Sequence, residues 1–137
     1  MADAIHYVDA NGLRFAYLEE GSGPLVLMLH GFPDTAHTWD DLRPRIAAAG
    51  YRAVSPFMRG YHPTAIPDRD ADQETLARDP LALIEALGAD DAIVIGHDFG
   101  ATTAYGAAAP YGLVIILLSM VPGTLLAIWF DRLGQSS

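Results

Sequence analysis

The sequence contains no cysteine. Disulfide frameworks and thiolate metal centres are therefore excluded, and the redox state of the compartment is left open. Basic residues are scarce as well: 8 stand against 17 acids, for a formal net charge of −9. Such a field repels phosphate backbones and anionic membrane surfaces, so nucleic acid is not an expected partner. The acidity reads as a solubilising surface. The first eight residues, Met1-Ala-Asp-Ala-Ile-His-Tyr-Val8, have neither a basic stretch nor an apolar core. No signal peptide is expected there, and a cytoplasmic enzyme is the default.

Apolar residues, in contrast, are plentiful. A hydrophobic content of 51% in 137 residues is enough for a real core, and one domain spanning 1–137 is expected. The run 112–130 carries no charge. Pro122-Gly123 divides it, which favours buried elements over a membrane span.

Two β-rich segments, 5–8 and 13–18, flank Asn11-Gly12, a dipeptide suited to a tight hairpin turn. After Gly21-Ser-Gly-Pro24, the unbroken apolar run 25–29 reads as a strand buried on both faces. The patterning then predicts a helix over 38–49, a strand over 51–54 and an irregular loop over 58–69. A second helix should run from a cap at Asp70 or Asp72 to Leu87, kinked or divided by Pro80. A strand over 92–95, a helix over 99–109, a strand over 114–118 and a terminal helix over 125–133 complete the reading. Strands and helices alternate, so the expected fold is α/β, a mostly parallel sheet of about six strands with helices on both faces.

The chemistry concentrates at Gly96-His-Asp-Phe-Gly100, between a buried strand and an alanine-rich helix. Small residues flanking a central nucleophile are what a sharp strand-to-helix turn requires, and the new helix aims its first amides at developing negative charge. The nucleophile position holds Asp98. A carboxylate attacking a carbonyl gives a reactive anhydride. Attacking the sp³ carbon of an epoxide or alkyl halide gives a stable ester instead, which water then cleaves at the Asp98 carbonyl. The bland alternative is that Asp98 only caps the helix. His30-Gly-Phe-Pro33 ends the neighbouring strand and can present the Phe32 N–H beside that of Phe99, making an oxyanion hole.

With these residues, and with Trp39, Leu42-Arg-Pro44, Met58-Arg-Gly-Tyr61 and Ala77-Arg-Asp79, the chain resembles the N-terminal half of the α/β-hydrolases. The nearest branch is that of the epoxide hydrolases and the haloalkane or haloacetate dehalogenases. The resemblance implies a nucleophile at Asp98, oxyanion amides at Phe32 and Phe99, a structural role for His97, and no cofactor or metal. It also marks departures. Members of the family are about twice as long, with a helical cap, the acid of the triad and the histidine that activates water in the other half. Phe99 stands where dehalogenases often carry a halide-binding tryptophan, and His62 where a small residue is usual. No tyrosine maps onto the cap tyrosines that protonate an opening epoxide. A shortened fold without a cap is therefore expected, whether truncated, rearranged or naturally minimal.

Three histidines, His30, His97 and His62, are candidates for a water-activating base, with the structural reading preferred for the first two. A metal held by His30, His97 and Asp98 is conceivable, but no spacing demands it. The leading function is a hydrolase acting on a small apolar epoxide, alkyl halide or ester. A slow, promiscuous esterase with a histidine-activated water is one alternative. A non-catalytic remnant that oligomerises or binds small apolar molecules is the other. A homo-oligomer joined through the sheet edge and the apolar C-terminal tail is expected.

Overall fold

The structure, a computed structural model, describes residues 4–69, 71–108 and 126–130. Its elements are β1 (His6–Ala10), β2 (Leu13–Glu20), β3 (Leu25–Leu29), α1 (Arg43–Ala48), β4 (Arg52–Pro56), α2 (Gln73–Ala86), β5 (Ala92–Gly96), α3 (Phe99–Ala108) and β6 (Leu126–Phe130), with a 3-10 turn at Ala36–Trp39. They form a six-stranded sheet in the order β1-β2-β4-β3-β5-β6.

Asn11 and Gly12 both take positive φ, 47° and 73°, the pair of left-handed residues that joins two strands at their natural twist. The resulting β1–β2 hairpin lies antiparallel, and β2 continues antiparallel against β4. Only the centre, β4-β3-β5, is parallel. The α/β class and the six strands match expectation, but the sheet is mixed rather than mostly parallel. The hairpin sets one flank, and β6, antiparallel to β5, sets the other.

Alternation along β3 explains why helices lie on both faces. Leu25, Leu27 and Leu29 join Val54 and Val94 under Leu83 and Leu87 of α2 and Ala104 and Ala107 of α3. Val26 and Met28 point the other way, with Ala53 and Ile95, toward Trp39 and the α1 side chain Ile46. All five residues of this strand are buried, and each fully buried Leu or Val contributes roughly 1.5–3 kcal/mol.

Three local expectations are corrected. The helix expected over 38–49 is a 3-10 turn followed by the shorter α1, because Thr35 caps the earlier turn by accepting from the His37 N–H at 3.3 Å. Pro80 does not divide α2, which runs unbroken for 14 residues from its cap at Asp72. Burial of Leu83, Ile84 and Leu87 on the sheet offsets the roughly 3 kcal/mol of an interior proline. The helix expected over 125–133 is instead β6 where it is described. Its backbone pairs with β5 from Ala92↔Phe130 to Gly96↔Leu126, and the demand of an open sheet edge for partners outweighs local propensity. The strand expected over 114–118, like most of the uncharged run 112–130, lies outside the described residues.

Candidate active site

Strands β3 and β5 are neighbours, so the segments that leave them meet at one end of the sheet. The tight fit there accounts for the glycines. A Cβ on Gly96 would come 2.6 Å from the Gly100 carbonyl oxygen. One on Gly100 would fall on the Leu29 carbonyl and 2.7 Å from the His30 oxygen. A Cβ on Gly31 would sit 2.6 Å from the Cβ of Asp98. The turn is thus pressed against the loop after β3, and only hydrogen fits between them.

Asp98 itself has φ of 54°, a left-handed conformation that a non-glycine residue seldom adopts. That geometry lifts its carboxylate into solvent at the start of α3. The Phe32 N–H donates to Asp98 Oδ2 at 3.1 Å. This bond first, and that of the Phe99 N–H second, hold the carboxyl below the ordinary aspartate value. Two amides, one from the loop after β3 and one from the first turn of α3, therefore converge on one carboxylate.

Beside it, Phe32 and Phe99 are 64% and 60% exposed and meet edge to face at 6.4 Å between centroids. Large apolar rings left in water next to a carboxylate form the rim of a cavity of about 240 Å³. Its walls include Phe15, Met58, Tyr61 and Leu83, and its one pair of charges, Arg59 and Asp79, is locked together. Arg59 Nε and Nη2 donate to the two oxygens of Asp79, each at 2.9 Å, and the Asn11 side chain donates to the same carboxylate at 2.7 Å. The cavity consequently presents an apolar surface.

The three candidate histidines are placed differently. His30 is fully buried. Its Nδ1 lies 2.8 Å from the Gly31 carbonyl, and its Nε2 accepts from the Met58 N–H at 3.0 Å. A neutral ring with its proton on Nδ1 satisfies both contacts and leaves neither nitrogen free to take a proton from water at Asp98. Burial pushes its pKa down. His97 is half-buried, and its Nδ1 has no hydrogen-bond partner among the described residues. Asp98 and Asp34 both lie within its electrostatic reach. His62 is exposed on the loop after Tyr61.

The depressed pKa of His30 has a measurable consequence. The unfolded chain binds a proton near pH 6.5 that the folded chain refuses, so its contribution to stability is complete above that pH and is lost as pH falls through the lower folded value. The melting temperature should fall between pH 7 and pH 5, and the fall should be shallower in His30→Gln. Identical slopes in thermal melts of the two proteins would contradict the assignment.

Two features of the site had no role in the sequence reading. Tyr61 and the Arg59–Asp79 pair belong to segments recognised there, but nothing in local patterning says that residues 20 positions apart close on each other around a cavity.

Residues 24–115 match the family model described as the alpha/beta hydrolase fold. The chain belongs to the α/β-hydrolase fold family. Within it, the chain is 44% identical over 104 residues to an epoxide hydrolase of Caballeronia sordidicola, covering 74% of this chain and 31% of that protein. It is 34% identical over 125 residues to a soluble epoxide hydrolase of Corynebacterium sp. strain C12, covering 89% and 43%. A crystal structure of an epoxide hydrolase from Vigna radiata superposes with a TM-score of 0.72 at 35% identity, covering 75% of this chain and 33% of the other. The chain thus spans less than half of the length of each of these relatives, and about a third of the first. In this member of the fold family the matched region contains β3, β5 and the whole turn at Asp98. Among the described residues, no helix is long and apolar enough to cross a membrane.

Proposed function

We propose that Asp98 is a nucleophile that opens a small apolar epoxide, forming an alkyl ester on its own side chain. The observation that carries this reading is the solvent-facing carboxylate on a left-handed turn, held by the amides of Phe32 and Phe99. Oδ2 accepts from the Phe32 N–H, and the carboxylate faces solvent, where it can attack carbon. When water later adds to the ester, the same two amides would receive the negative charge that develops on the carbonyl oxygen. The apolar cavity suits a reactant with little charge, and the names of the relatives agree with an epoxide.

No histidine nitrogen bonds to Asp98 among the described residues, so the ester is expected to accumulate on the described segment rather than turn over. The test is peptide mass spectrometry after incubation with styrene oxide. The adduct should map to Asp98 and be missing from Asp98→Asn. Because the nucleophile is the ionised form, and its pKa is lowered, labelling should stay at full rate until pH falls below the ordinary aspartate value of 3.8. Label on other residues, or equal label in the variant, would refute the assignment.

A further inference from the structure

A carboxylate that faces water beside exposed aromatic rings can recognise a ligand without reacting with it. We propose that the crevice at Asp98 binds small amphipathic organic cations, with a quaternary ammonium head at the carboxylate and an aryl or alkyl tail in the cavity. Such binding needs the charge of Asp98 but not its nucleophilicity.

The head is matched by charge and by soft surface. Asp98 is exposed, and the amides of Phe32 and then Phe99 favour its ionised form. Covalent geometry ties each ring centre to within about 5 Å of its own amide nitrogen, and the Phe32 nitrogen is 3.1 Å from Asp98 Oδ2. Both rings therefore stand beside the carboxylate, and both residues are more than half exposed. A quaternary ammonium is attracted to a ring face by the ring quadrupole, which is how aromatic residues recognise such ions. The net charge of −9 draws cations toward the chain at longer range.

The tail is matched by the cavity that the two rings border. A cavity of about 150 Å³ can hold benzene, and this one has about 240 Å³. Phe15, Leu29, Met58, Leu76 and Leu83 supply its apolar wall. Arg59, the cation in that wall, is neutralised by both oxygens of Asp79 and does not oppose a second positive charge at the mouth. A metal ion is a poorer match. Among the described residues, no group of three or more His, Asp or Glu side chains is placed to hold one. A strongly hydrated ion also gains nothing from apolar walls.

Titration with benzyltrimethylammonium chloride, followed by the backbone amide NMR signals of Phe32 and Phe99, reads the site directly. The uncharged comparison is 2-methyl-1-phenylpropan-2-ol, which has nearly the same shape. In the wild type the cation should shift both amides at millimolar concentration. Asp98→Asn should weaken the cation about fivefold, the effect of one unit charge at about 4 Å in water, and leave the alcohol unchanged. Asparagine tolerates the left-handed turn, so the backbone is expected to hold. Phe99→Leu should weaken the cation about threefold more than it weakens the alcohol. A salt series needs no variant: raising sodium chloride from about 20 to about 500 mM should weaken the cation severalfold and spare the alcohol. Equal responses of cation and alcohol to Asp98→Asn and to salt would reduce the site to an apolar pocket and overturn the proposal. It would also be overturned by cation-induced shifts confined to amides elsewhere on the acidic surface, or by none at Phe32 and Phe99 up to the highest soluble concentration.

Discussion

Gly100→Ala is expected to destabilise the chain by about 3 kcal/mol, the upper part of the usual range for a side chain forced into filled space. The new methyl would overlap the Leu29 carbonyl and crowd the His30 oxygen, both backbone atoms that cannot rotate away. Relief would require α3 to move off the end of β3, where Leu29 pairs with Gly96. In urea titration the midpoint should fall by roughly 1–2 M with an unchanged slope. Gly106→Ala is the control in the same helix. Its Cβ would meet only the Ala77 methyl, at 3.2 Å, and the better helix propensity of alanine, about 1 kcal/mol, offsets that contact. If both variants melt like the wild type, the close approach of the turn to β3 is not as drawn.

The second large effect concerns the ion pair in the cavity wall. Asp79→Leu would leave Arg59, only 9% exposed, without its carboxylate, and would strip the Asn11 side chain of its shorter hydrogen bond. Loss of one partner of a buried pair costs about 3–5 kcal/mol, and the lower figure applies here because the cavity admits some water to the orphaned charge. Replacing both members, as Arg59→Met with Asp79→Leu, should restore most of the loss, since no buried charge then remains. The decisive result is the double-mutant cycle measured by denaturant unfolding. A double variant as unstable as the sum of the singles would mean that the two residues act separately.

The turn at Asp98 was legible in the sequence because its constraints are local. Gly96, Gly100 and the flanking apolar strand are all that a tight strand-to-helix corner needs, and the structure realises them within five residues. The strand Leu25–Leu29 was legible for the same reason, being apolar at every position. What local patterning missed depends on partners distant in sequence. An antiparallel β6 beside β5 cannot be inferred from Leu126–Phe130, where an apolar five-residue stretch serves a helix or a strand equally well. Pro80 misled in the opposite direction, since its penalty is visible in the sequence and the packing that offsets it is not. Tyr61 and Arg59 stood in a segment recognised only by likeness, and their place in a cavity wall emerges once α2 is laid across the sheet.

The strand order also explains why Asp98 is where it is. The chain leaves β3 toward α1 and β4, then recrosses by α2 to return as β5 on the other side of β3. The departing segments of β3 and β5 therefore turn to opposite faces of the sheet, one toward α1 and the other into α3. Adjacent parallel strands whose exits diverge form a topological switch point, a crevice that no side chain has to carve. Gly31 and Asp98 stand on its two lips. A circular permutant that opens the chain away from β3 and β5 would keep that crevice, whereas one that cut between β3 and the 3-10 turn would release the Phe32 amide from the carboxylate it holds.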